Sequence, residues 1–176
     1  MDEAFIKKVQ PNSPEAEQSV IGAMIMDRDA IADVIDIVSA DDFYQKQNGI
    51  LFEAMTELYR EGKPVDLVTL QNKLKKKDVP ESMKSLEFIR DLLEAVPTSA
   101  NAKQYAKIVS EKATLRKLIK VTEDITTECY LGKDDVTEIL DHTEKNVFGL
   151  LQQASGREDF VPIDKVVLNT LDAIEE

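Results

Sequence analysis

The sequence predicts an all-α protein built as a helical-bundle head followed by a helical hairpin and a C-terminal linker helix. Three observations carry this. Only six glycines and six prolines occur in 176 residues, and long stretches contain neither, which favours helices over strand-and-turn architectures. From about Asn101 to Tyr130 an uninterrupted run places Ile108, Leu115, Thr122 and Cys129 seven apart, with Leu118 and Ile125 each three residues beyond a member of that series. This is an a/d pattern over about three heptads. After Gly132 and Lys133-Asp134-Asp135, a second run spaces Val136, Leu140, Thr143, Val147, Leu150 and Ala154 four, three, four, three and four apart. Two helices joined so closely fold back antiparallel. A lone hairpin cannot bury so long a seam, so this one is expected to associate.

The elements follow in order. Residues 1–12 form a short arm without periodicity. Ser13 is the expected N-cap of a first helix, with Pro14 at its first position and Glu15 and Glu17 at the positive end of its dipole. Its apolar face holds Ala16, Val20, Ile21, Met24 and Ile25. Asp27 and Asp29 restart the chain as a second helix carrying Ile31, Val34, Ile35 and Val38, and a corner follows with Phe43 and Tyr44 as core plugs. A third helix, about Lys46 to Glu61, stops at Gly62. Asp66 caps a fourth with Leu67, Leu70 and Leu74 as its stripe, ending in lysines that complement a helix C-terminus. Ser82 is the expected cap of a fifth, holding Leu86, Ile89, Leu92 and Leu93. Pro97-Thr98-Ser99 breaks the chain before the hairpin, whose turn combines Gly132 with an Asp135/Glu138 capping box. Ser155 to Asp159 is a polar linker, and Ile163, Val166, Val167, Leu171 and Ile174 mark a last amphipathic helix that looks cut from something longer. The domains are therefore 1–100, 101–155 and 156–176.

Charge narrows the partners. The net charge of −12 divides as −7 over residues 1–100, −1 over 101–155 and −4 over 156–176. No segment is basic enough to bind a phosphate backbone tightly, so little direct DNA binding is expected. The near-neutral hairpin suits packing against protein. No apolar run approaches the ~20 residues of a membrane span, and the N-terminus lacks the pattern of a signal peptide. Cys129, the one cysteine, is expected to be a small buried residue of the seam, and its solitude fits a reducing cytoplasm.

The inventory argues against catalysis. A phosphate-cradling loop needs two glycines five apart followed by Lys and Ser or Thr, and no pair among Gly22, Gly49, Gly62, Gly132, Gly149 and Gly156 has that spacing. Helical-bundle metal oxidases need Glu-x-x-His on two helices, whereas the single histidine, His142, follows Ile139 by three. Neither catalytic residues nor a metal or cofactor site is expected.

Several stretches carry a family resemblance. They are Ser13-Pro14-Glu15-Ala16-Glu17-Gln18-Ser19-Val20-Ile21-Gly22, Asp42-Phe43-Tyr44, Ile50-Leu51-Phe52-Glu53-Ala54-Met55 and Pro64-Val65-Asp66-Leu67-Val68-Thr69-Leu70. Ala95-Val96-Pro97-Thr98-Ser99-Ala100-Asn101, Tyr105-Ala106-Lys107-Ile108-Val109 and Leu115-Arg116-Lys117-Leu118-Ile119 continue the series. In this order and spacing the chain resembles the N-terminal domain of bacterial replicative DNA helicases of the DnaB family. One departure is Asn48, where the family usually has histidine. The resemblance implies hairpins that pair two subunits, three such pairs forming the collar of a hexameric ring, and a collar that also receives the helicase-binding domain of primase. It also implies a linker helix docking on the ATPase domain of a neighbour, with ATP and Mg²⁺ confined to that missing RecA-like domain. Leu115, Leu118, Ile125, Val136, Leu140, Val147 and Leu151 are the expected seam residues, and sequence leaves open which pack the arms together and which face a second subunit. Glu15 and Phe88 are candidates for primase contact, Phe88 reading equally well as a head-core side chain. Ile163, Val167, Leu171 and Ile174 are the expected docking residues of the linker helix. The alternative is a free-standing helical dimeric regulator or helicase-loader-like protein, which the reading frame beyond Glu176 distinguishes.

Overall fold

The computed structural model describes residues 9–94, 99–133 and 135–155, and every regular element among them is helical. The chain divides into two units, Met1–Lys120 and Val121–Glu176. In the first, Ser13 opens α1 (Pro14–Met26) by accepting the Ala16 N–H, and Asp27 both ends α1 and caps α2 (Arg28–Ile35) through the Asp29 N–H. A 3₁₀ turn at Ala40–Asp42 leads into α3 (Lys46–Arg60). Asp66 accepts the Val68 and Thr69 N–H groups at the start of α4 (Leu67–Lys75). Expected caps thus hold where a polar side chain sits beside the orphan donors of its own helix. The fifth helix differs. A 3₁₀ turn occupies Glu81–Lys84, α5 spans Leu86–Glu94, and its cap is Ser85, whose hydroxyl accepts the Phe88 N–H; Ser82 contributes only its carbonyl, to Ser85.

α1 is the centre of the head. It packs on α2, α3 and α5, while α4 closes against α3 and α5. Val20, Ile21, Ala23 and Met24 are fully buried, so the helix is apolar on more sides than the single stripe read from its sequence, as befits an element surrounded by others. α3 sits close to the 3₁₀ turn because residue 49 is glycine: a Cβ there would lie 2.5 Å from the Ala40 carbonyl oxygen. Lysines near the end of α4 reach across to α3. Lys73 pairs with Glu57 and Glu61, and Lys77 with Glu53 and Glu57, so these lysines hold two helices together.

α6 (Ala102–Leu131) is the longest element. Its first turns bury Ala102, Ala106, Val109 and Ala113, spaced four, three and four, in the head. Gly132 then takes φ +54 and ends the helix, a backbone setting that costs a side chain about 1 kcal/mol or more. α7 (Val136–Ser155) follows, with the Asp135 N–H bonded to the Glu138 carboxylate. Among the described residues no helix is long and apolar enough to cross a membrane.

Candidate interaction surfaces

Both long helices carry apolar side chains outside the head, in two rows on α7 and in one stripe on α6. On α7, Ile139, Thr143, Val147 and Leu150 are half-buried, whereas Val136, Leu140, Phe148 and Leu151 are 69%, 62%, 58% and 59% exposed. At 100° per residue the exposed row lies about 80° round the helix from the half-buried one, far enough that one neighbouring helix cannot cover both. On α6, Leu115 and Leu118 are 45% and 44% exposed, and Val121 and Ile125 half-buried. Of the seam residues expected from sequence, Leu115, Leu118, Val136, Leu140 and Leu151 are therefore exposed, and Ile125 and Val147 half-buried. Phe148, Tyr130 and Leu131 are further exposed apolar side chains that the heptad reading passed over, because they fall beside its a/d positions. Cys129 is exposed and not the small buried residue expected. Around the turn, a Glu128 carboxylate oxygen is shielded from solvent without a hydrogen-bond partner among the described residues.

The head offers a different surface. Glu15 is exposed at the start of α1, and Phe88 is half-buried against the core. Ile163, Val167, Leu171 and Ile174 lie outside the described residues. Two buried carboxylates do what sequence did not foresee. Glu17 accepts the Tyr44 and Gln45 N–H groups at 2.7 and 3.1 Å and the Asn48 amide at 3.0 Å, so it caps the start of α3 from another helix. Asn48 is thus a buried donor matched to that carboxylate. Asp42, fully buried, accepts the Ser39 N–H and hydroxyl, each at 2.9 Å, and the Lys117 ammonium at 2.8 Å. Burial works against its ionisation, but Lys117 and then Ser39 outweigh it and hold Asp42 below its ordinary value. Among the described residues no group of three or more His, Cys, Asp or Glu side chains could hold a metal ion.

Residues 9–111 match the family model described as the DnaB-like helicase N terminal domain. The replicative DNA helicase DnaB of Geobacillus stearothermophilus is 35% identical over 176 residues, covering 99% of this chain and 38% of the relative, so the chain spans less than two-fifths of that protein's length. The crystal structure of the N-terminal domain of DnaB helicase from Mycobacterium tuberculosis superposes with a TM-score of 0.76 at 34% identity, covering 80% of this chain and 99% of that one. A DnaB-like replicative helicase, solved in a study of its interactions with primase, shares the fold with a TM-score of 0.65 at 18% identity over 93% of this chain and 35% of its own. With more than half its residues inside the family model and the mycobacterial domain matched almost end to end, the chain belongs to the DnaB-like helicase N-terminal domain family.

Proposed function

We propose that this chain is the non-catalytic collar of a replicative helicase: it assembles subunits through residues 101–155 and recruits primase to the fork in the cytoplasm. The observation that carries the reading is the exposed row on α7, Val136, Leu140, Phe148 and Leu151, set beside a half-buried one. Burying a leucine contributes about 1.5–3 kcal/mol, so four such residues left in water are costly unless a second surface covers them. The heptad spacing of Leu115, Leu118 and Ile125 supports a second copy as that surface, since coiled-coil packing is self-complementary. Pairs of subunits would then close as three dimers in a hexameric ring. Primase recruitment is supported by a fold neighbour studied for its interactions with primase, and Glu15 and Phe88 on the head would be contacts for the helicase-binding domain. Ile163, Val167, Leu171 and Ile174 would dock the linker helix on a neighbour's ATPase domain. ATP and Mg²⁺ belong to that domain, because none of the six glycines here forms a phosphate loop.

Light scattering on the chain carrying Leu115→Asp with Leu140→Asp tests the reading. A fall to monomer at unchanged helicity is expected, and an unaltered oligomer overturns it.

A further inference from the structure

Residues 115–118 of α6 are amphipathic in the reverse of the usual sense. Leu115 and Leu118 point to solvent at 45% and 44% exposure, while Arg116 and Lys117 between them turn toward the head. Arg116 spans two main-chain carbonyls, Pro11 at 2.7 Å and Asp42 at 2.6 Å, and its guanidinium lies 5.6 Å from the centre of the Tyr44 ring. Lys117 bonds the buried Asp42 carboxylate at 2.8 Å. Before this pair, α6 meets the head through Ala102, Ala106, Val109 and Ala113, with Tyr105 and Ile108 packed beside them. The larger of these side chains lie at least seven residues before Arg116, and the buried residue next to it, Ala113, inserts no knob to fix the rotation there. A planar guanidinium forked over two fixed carbonyls is directional.

We infer that Arg116 and Lys117 are positioning residues that set the rotation of α6, holding Leu115 and Leu118 outward as a preformed pairing face. This rests on the pairing reading above. If α6 could roll, the competent setting would be a fraction of the population, and because both copies must present it, apparent affinity would fall by the square of that fraction.

Sedimentation equilibrium on the 176-residue chain, with far-ultraviolet circular dichroism of the same samples, separates the possibilities. Arg116→Gln is expected to weaken self-association about tenfold at unchanged helicity, as for a face correctly set about one-third of the time in each of the two copies. Arg116→Lys keeps the charge but cannot span both carbonyls, and is expected to fail equally. Asp42→Asn with Lys117→Met removes the ion pair without leaving a buried charge alone and is expected to weaken association likewise. Wild-type affinity in Arg116→Gln or in the double variant overturns the inference while Leu115→Asp is monomeric. Leu115→Asp that pairs like wild type overturns the pairing reading instead. Should Arg116→Gln lose helicity, the double variant decides; loss in both also overturns the inference, since the pair would then hold the fold and not the rotation.

Discussion

Glu17 and Asn48 lie 31 positions apart and share a buried hydrogen bond. Placing Glu17 at the positive end of α1 followed from local rules, but its larger role comes from residues that arrive only when α3 packs. Glu17→Ala takes the acceptor from two N–H groups and leaves the Asn48 amide with the Gln45 side-chain oxygen at 3.3 Å. Because bonds to a charged group contribute about 1.5–3 kcal/mol each, a loss of at least about 3 kcal/mol is expected in urea unfolding. The buried Thr56 hydroxyl has no partner among the described residues. Thr56→Val removes an unsatisfied group at nearly constant shape, and a gain of about 1 kcal/mol is expected in the same assay. Asp42 carries a pH dependence. Its folded pKa is lowered, so its contribution is complete above the ordinary carboxylate range and is lost as pH falls through the folded value. Thermal unfolding of wild type should thus weaken in acid, and Asp42→Asn with Lys117→Met should flatten that acid limb. An unchanged limb would remove Asp42 from this account.

Helix ends were legible in the chain wherever cap and donor are neighbours, as at Ser13, Asp66 and Gly132. They were misread where two serines stand three apart, and Ser85 took the place assigned to Ser82. Ser85→Ala is expected to cost α5 about 1 kcal/mol, with Ser82→Ala near neutral by comparison. α3 and α4 are joined by a ladder whose positions alternate in sign, Glu53, Glu57 and Glu61 against Lys73 and Lys77. Glu61 is held at about 2 by Lys63 and then Lys73. Sequence reasoning placed these lysines at a helix end but could not see their partners on another helix. The heptad count on α6 was sound as periodicity, yet it hid the alanine row that meets the head. Alanine is a weak hydrophobic signal, and only packing shows that its small size is the point. On α7 one apparent series, from Val136 to Leu150, separates into exposed and half-buried rows. Spacing alternately by threes and fours does not distinguish a helix with one covered face from a helix with two.

For the whole chain, the all-α class and family membership were readable from patterning and ordered motifs, while the surfaces that act were readable only in part. A site assembled from distant segments, such as Arg116 with the main-chain carbonyls of Pro11 and Asp42, leaves no local trace. As the adaptor proposed above, the molecule would owe its affinity for itself to apolar area. Its association should therefore depend weakly on salt, unlike contact between exposed charges. Binding of a primase helicase-binding domain should fall with Glu15→Lys, and titration calorimetry with ATP and Mg²⁺ should show no heat. The most direct test of the central claim is sedimentation equilibrium of the wild-type chain over a dilution series reaching tens of micromolar. The account expects a mass at least twice that of one chain at the upper end, dissociating on dilution and abolished by Leu140→Asp. A strict monomer throughout, unaltered by that substitution, would contradict it.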